Sequence, residues 1–431
     1  MRRFLYLSPF FPPMTRVGAL RPLKFARHLP ELGWAPVVLC EQAEPGEADP
    51  RLAAAVPDST IVIPRYSRGG ARAQPAAEPS QASAPSKPAK PSKPAKPSRW
   101  RAEDINPLGL HAFGMRHALR AARAALVAQP DCEAIMVNAD PYAALLVGAR
   151  LARETGLPLI QDLRDPWSVC ELRRDLRPAP MRALVDRLER RAVEAAATVI
   201  LNTETARDDY RRHYADLPPE RFHAIRNHAD VGLLALDSPP AQARFDRFTI
   251  LFLGNFRRFV EGTVVLDALV RVRDALGADA VQLVVTGALP PELSARAAEL
   301  GVAEMVRAHP FVPYLGIAEV MARADLLLSF SHATAQRIPA KIYDYLISDR
   351  PLLVIADNPE LRDLVERAGG ASVHGLAEVE SIAAAILAEH AAGRGRSVTR
   401  ADVGIDSRTA SRALAAILEQ VTGPGRVRPR R

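Results

Sequence analysis

The sequence predicts an α/β protein made of two Rossmann-like domains, each a doubly wound parallel sheet flanked by helices. Short apolar runs rich in Val, Ile and Leu, the mark of strands buried on both faces, recur along the chain. Segments of helical period separate most of these runs, as βαβ units require. The alternation pauses once, at Asp237-Ser238-Pro239-Pro240, which divides the chain into two α/β blocks. A chain of 431 residues accommodates this, at about 100–200 residues per domain.

In the first block the apolar runs fall at residues 3–10, 35–40, 60–64, 134–138, 157–163, 198–202 and 222–227. After the first run, Leu20, Leu23, Ala26, Leu29 and Leu32 keep helical spacing, and Gly33 is a C-terminal stop. Pro30 has no N–H to give an α-helix and ends it about one turn early. Further helices are read at 108–127, 142–154 and 181–196. In the second block, strands at 249–253, 282–286, 306–311, 326–330, 352–355 and 371–373 alternate with helices near 263–276, 291–300, 317–324, 340–347, 359–368 and 377–390. A last helix, near 407–418, follows the second sheet.

The domain expectations are a first domain over 1–237, a second over 238–405, a helix over 406–422 that crosses back to the first domain, and a basic tail over 423–431. Residues 67–104 interrupt the first domain. They hold seven prolines, and Ser86-Lys87-Pro88-Ala89-Lys90-Pro91 repeats as Ser92-Lys93-Pro94-Ala95-Lys96-Pro97. With Trp100 as nearly the only large apolar side chain, such a segment cannot offset its ordering entropy and is read as a disordered insertion.

The formal charge of +8 is located in two places. Residues 67–104 carry eight Lys/Arg against three Asp/Glu, and the tail from Gly423 carries four Arg and no acid. The body that remains is close to neutral, which argues against a nucleic-acid recognition face. Weak peripheral contact with an anionic membrane stays open. Cys40, Cys132 and Cys170 are scattered and lack metal-ligand spacing, as expected of reduced thiols. The apolar run at the N-terminus breaks at Ser8-Pro9, too early for a signal peptide, and no run of 18 apolar residues occurs. The expected location is the cytoplasm, at most at the inner face of the membrane.

The sequence holds no Walker-type phosphate loop, G-x-G-x-x-G turn, zinc helix, G-x-S-x-G elbow or D-x-D carboxylate pair. What it holds is a set of polar turns at the carboxyl ends of strands, where open α/β sheets bind ligands. The first runs from Ser8 through Pro12-Pro13 to Gly18 and Arg21, a long loop entering a helix. The second is Gln161-Asp162-Leu163-Arg164-Asp165-Pro166-Trp167, with two carboxylates, a guanidinium and an aromatic ring suited to sugar hydroxyls. Asp140 closes another strand. In the second domain, Gly254 permits close backbone approach, Asn255 follows it, and Arg257 and Arg258 suit a diphosphate. Gly287 and Val312 stand after the next two strands. The most specific stretch is Gln336-Arg337-Ile338-Pro339-Ala340-Lys341-Ile342-Tyr343-Asp344-Tyr345-Leu346, where a proline starts a helix and Lys341 and Asp344 share one face.

In order and content these motifs resemble family 4 glycosyltransferases. The S-P-x-x-P-P loop with its following glycine, the D-x-R-D-P-W string, and Pro339-x-Lys341-Ile342-x-Asp344-Tyr345-Leu346 ahead of Arg350-Pro351-Leu352 carry the likeness. The resemblance implies a GT-B fold, two Rossmann-like domains facing across a cleft. It implies transfer of a sugar from a nucleoside-diphosphate sugar to a saccharide or lipid-linked acceptor, with retention, no metal and no cofactor beyond the donor, in surface polysaccharide or glycoconjugate assembly. On this reading Lys341, Arg258 and Asp165 are catalytic. Gly254, Asn255, Arg257, Gly287, Val312, Gln336, Ile338, Ala340 and Asp344 bind the donor. Gly18, Arg21, Asp140, Asp162 and Arg164 lie on the acceptor side. The family's paired glutamates fall on Gln336 and Asp344. A sugar-nucleotide epimerase of the same architecture and an inactive nucleotide-sugar-binding relative are the alternatives.

Overall fold

Seven parallel strands form one sheet and six form another. The computed structural model describes residues 1–44, 46–66, 108, 111–139, 141–170, 174, 177–236, 243–254, 259–287, 289–331 and 336–423. The first sheet comprises β1 (Arg2–Leu7), β2 (Trp34–Glu41), β3 (Ile61–Tyr66), β4 (Cys132–Ala139), β5 (Leu159–Leu163), β6 (Thr198–Leu201) and β7 (Phe222–Ala224), in the order β3-β2-β1-β4-β5-β6-β7. The second comprises β8 (Phe248–Leu253), β9 (Val281–Thr286), β10 (Val306–His309), β11 (Leu326–Ser331), β12 (Leu352–Ala356) and β13 (Ala371–His374), in the order β10-β9-β8-β11-β12-β13. Strand order reverses between β1 and β4, and again between β8 and β11. These are the two switch points where the fold leaves a crevice at the strands' carboxyl ends.

The helices before the midpoint are α1 (Leu20–His28), α2 (Pro50–Ala54), α3 (His111–Ala128), α4 (Ala143–Thr155), α5 (Ala179–Ala195), α6 (Glu204–His213) and α7 (Val231–Leu234). After it come α8 (Phe259–Leu276), α9 (Pro291–Glu299), α10 (Ile317–Arg323), α11 (Ala340–Leu346), α12 (Pro359–Ala368), α13 (Val379–Ala391) and α14 (Ser407–Thr422). Each predicted apolar run is a strand, because runs of β-branched and aliphatic residues covered on both faces have no polar alternative partner.

Three details differ from the expectation. The first strand stops at Leu7 rather than residue 10, since Pro9, Pro12 and Pro13 offer no ladder donors. The seventh stops at Ala224 rather than residue 227. Helices α2, α6 and α7 were not read from the sequence; α6 is too polar to show an apolar stripe, and the other two are five and four residues long. Helix α1 ends at His28, and a 3₁₀ turn over Leu29–Leu32 carries Pro30 before Gly33 closes it at φ 82°.

One face of the first sheet packs on α3, α4 and α5 through Leu5, Val37, Ile135, Val137 and Leu145. On the other face Phe4, Tyr6, Phe25, Trp34 and Met136 meet Leu414, Leu418 and Val421 of α14. The last helix of the chain therefore covers the first domain's sheet. Each such Leu or Val buried contributes about 1.5–3 kcal/mol over exposure. The two passages between domains run side by side: the N–H of Ala229 donates to Ile405 O at 2.9 Å, and that of Ser407 to Ala229 O at 2.8 Å. The expected domain break near 237–240, the insertion at 67–104 and the tail from 424 lie outside the described residues.

Candidate functional site

The carboxyl edges of the two sheets meet. From the first domain come the loop after β5 and the start of α6; from the second, the residues leading into α11 and α12. Asp165 pairs with Arg337 at 3.1 Å. The Thr203 hydroxyl donates to Gln336 O at 3.0 Å. The Glu360 carboxylate, in the first turn of α12, accepts from the Glu204 and Thr205 N–H groups at 3.0 and 2.9 Å, from the Thr205 hydroxyl at 2.8 Å and from Arg226 at 2.9 Å. A carboxylate seated on the exposed N–H groups of α6 complements that helix end. Glu360 was not singled out from the sequence; its signal was an acid two residues past Asn358, itself a helix cap after a strand.

On the donor side, Lys341 reaches back from the first turn of α11 to the end of β8. Its Nζ donates to Leu253 O at 3.0 Å and lies 3.5 Å from the centroid of the Phe252 ring. The adjoining Gly254 has φ 101°, a conformation that only glycine takes without strain, and its N–H donates to Thr286 Oγ1 at 2.9 Å. The Tyr345 hydroxyl accepts from Leu253 N–H at 3.0 Å, which ties α11 to the same strand end. Gly287, after β9, donates to His309 O at 2.9 Å. Lys341, Gly254 and the end of β8 are thus brought together at the second switch point. Ala340 is half-buried behind the uncapped Pro339. Val312 packs at the edge of the core cluster that holds Ile338, and Ile338 is 3% exposed, a core residue rather than a ligand contact.

Two residues expected to bind the donor are engaged by the protein's own groups. The Gln336 amide points into the first domain, donating to Val169 O at 2.9 Å and Asp209 Oδ2 at 2.6 Å, so it is a cross-domain tie. Asp344 is buried, and its Oδ1 accepts from the Tyr314 hydroxyl at 2.8 Å and meets Lys24 Nζ of α1 at 3.4 Å. Burial pushes the Asp344 pKa up, and Lys24 and Tyr314 oppose it. In this arrangement the position expected to bind the donor holds the protein's own side chains. Lys24 was missed because a lysine between Leu23 and Phe25 reads as a solvated break in an apolar stripe. Its Nζ instead finds His228 O at 2.6 Å.

On the acceptor side, Gly18 and Arg164 come together. A Cβ at Gly18 would lie 2.7 Å from Phe10 Cδ2 and 3.2 Å from Arg164 Nη1, so the glycine makes room for that guanidinium. Arg21 and Asp162, expected on the acceptor side, bind each other. They form a fork at 2.8 and 2.9 Å, are 4% and 0% exposed, and Arg21 spends its remaining reach on Ile225 O and Arg226 O. The pair braces β5 against β7. Asp165 is committed to Arg337. Asp140, Asn255, Arg257 and Arg258 lie outside the described residues. Among the described residues no three His, Cys, Asp or Glu side chains gather to hold a metal, and no helix is long and apolar enough to cross a membrane.

Two Rossmann-like domains joined at their carboxyl edges, with a lysine and a glycine turn at one switch point, define the GT-B class of fold. Residues 19–228 match the glycosyl transferase 4-like domain. D-inositol 3-phosphate glycosyltransferase 1 of Catenulispora acidiphila is 28% identical over 214 residues, 46% of this chain and 50% of the relative. The chain therefore aligns with about half the length of that curated relative. In fold, HepE of Anabaena, solved with UDP, superposes with TM-score 0.59 at 15% identity over 97% of this chain and 100% of its own. A UDP-N-acetylglucosamine 2-epimerase of Listeria monocytogenes superposes with TM-score 0.55 at 11% identity over 97% of this chain and 96% of its own.

Proposed function

We propose that this chain is a glycosyltransferase that moves a sugar from a nucleoside-diphosphate sugar to a saccharide or lipid-linked acceptor with retention, without a metal, in glycoconjugate assembly. The observation that carries the reading is Lys341 meeting the end of β8 beside Gly254. Charge grows on the diphosphate oxygens as the glycosidic bond breaks, and a lysine fixed in advance at that point stabilises it where water is excluded. Its present partner, a backbone carbonyl, is a neutral acceptor that a phosphate oxygen outcompetes. Contact between the two domains shields the donor from hydrolysis, and the first domain presents the acceptor near Gly18 and Arg164. The inositol phosphate named for the relatives is one acceptor to try.

A thermal-shift screen of UDP-glucose, UDP-N-acetylglucosamine and GDP-mannose tests donor binding, since a ligand at 100 times its dissociation constant stabilises by about 2.7 kcal/mol. Product analysis with D-inositol 3-phosphate and with lipid-linked saccharides then tests transfer. A new glycoside supports the reading. An epimerised nucleotide sugar formed without acceptor supports the epimerase reading, which the fold likeness to the Listeria protein favours.

A further inference from the structure

Glu189 of α5 is a fully buried carboxylate that no step above uses. Its Oε2 accepts from the Ser168 N–H at 3.1 Å and from the Tyr214 hydroxyl at 3.1 Å, and its Oε1 accepts from the Tyr210 hydroxyl. The Tyr210 oxygen accepts in turn from the Trp167 N–H at 3.2 Å. Three donors converge on one side chain, and only a carboxylate accepts from all three without having to donate. An acid in the interior is costly to keep, and packing alone does not call for one. Its place in the fold supplies the reason.

The segment from Asp165 to Cys170 is held in two directions. Inward, the Pro166 carbonyl takes the Tyr142 hydroxyl at 2.9 Å, while the N–H groups of Trp167 and Ser168 hang on Tyr210 and Glu189. Outward, Asp165 meets Arg337, the Val169 carbonyl takes the Gln336 amide, and Cys170 Sγ takes Arg337 at 3.7 Å. Gln336 and Arg337 lead directly into α11 and Lys341. The inward anchors thus set where the outward contacts fall.

We infer that Glu189 is a positioning residue for the transfer site: through Ser168, Tyr210 and Tyr214 it holds the Asp165–Cys170 segment in register with Gln336 and Arg337 ahead of α11. The inference rests on the transferase reading for what the register serves. A shift of about 1 Å in a positioned group costs on the order of a hundredfold in rate.

The test uses the full chain as wild type, Glu189→Ala, Glu189→Gln and Tyr214→Phe. Amide hydrogen exchange over residues 164–170 reads the segment, calorimetry with UDP reads the donor side, and UDP released from UDP-glucose reads turnover. Glu189→Ala is expected to speed exchange over 164–170 by about tenfold or more and to cut turnover by on the order of a hundredfold, while UDP affinity stays within about twofold. Glu189→Gln keeps an acceptor for Ser168 but turns an amide donor toward a tyrosine hydroxyl, and is expected to restore part of both losses. Tyr214→Phe removes one hydroxyl and is expected to fall between wild type and Glu189→Ala. It decides the matter if the alanine variant fails to fold. Unchanged exchange over 164–170 overturns the inference. So does a loss of UDP affinity in step with turnover accompanied by faster exchange throughout the first domain, which marks a packing role alone. A wild-type chain that binds none of UDP-glucose, UDP-N-acetylglucosamine and GDP-mannose and transfers from none of them overturns the transferase reading instead, and exchange then judges the anchoring by itself.

Discussion

Two cations one turn apart on α1 meet two buried carboxylates in contrasting ways. Arg21 grips Asp162 with a two-point fork at 2.8 and 2.9 Å inside the first domain, and its other donors go to backbone carbonyls. Lys24 reaches across to Asp344 of the second domain with a single contact at 3.4 Å, its better bond being to His228 O. The planar guanidinium makes a fixed brace, while the ammonium is a point charge that can exchange partners. The pair within one domain belongs to the scaffold; the pair between domains is the one a ligand or a domain movement can break. Helix α1 thus ties the loop after β1 both to its own sheet and to the second domain.

The sharpest way to break this contrast is to remove one carboxylate from each pair. Asp162→Ala strands a buried guanidinium and is expected to cost about 3–5 kcal/mol in a urea or thermal melt. A cost near zero would make the fork ornamental. Asp344→Asn is expected to cost less and to show a pH signature. Because burial raises the Asp344 pKa in the folded chain, the native state holds its proton more tightly than the unfolded chain does. That contribution is present below the ordinary Asp range, about 3.9, and is lost as pH rises from there toward the folded value. Parallel melts at stepped pH should therefore show wild type losing stability relative to Asp344→Asn as pH rises through that window. The reverse slope would mean that Lys24 and Tyr314 outweigh burial.

His228, whose carbonyl holds Lys24, sharpens the comparison from the other side. Burial holds its imidazole pKa well below the ordinary value, with Arg21 and Lys24 adding to the effect. Its contribution is complete above about 6.5 and is lost as pH falls toward the folded value. His228→Asn should flatten the stability profile there. The smallest effect is expected at the exposed Arg190–Asp216 pair, where Asp216→Ala should leave a melt essentially unchanged.

The fold was legible because it rests on local pattern: most strands were apolar runs, and Gly33 and Pro30 marked where α1 fails. The glycine turn at Gly254 and the proline-led start of the helix that carries Lys341 were legible for the same reason, since turn residues and helix starts are local. What the sequence did not reveal was partner choice. Asp162, Arg21, Gln336 and Asp344 have the residue types of a ligand site, yet each finds a partner more than 120 residues away within the protein. Glu360 acts through partners more than 120 residues away as well, and it stands in no recognisable string. Pairing across domains depends on how two folded surfaces meet, which no window of sequence contains.

The account turns on a nucleoside diphosphate lodging where Lys341 meets the end of β8. Titrating UDP into wild type and Lys341→Ala by calorimetry, with a thermal melt to establish that the variant is folded, addresses this most directly. The account predicts binding by wild type and at least about a tenfold loss in the folded variant, the worth of one charge-assisted hydrogen bond. Equal affinity in the two proteins would contradict it.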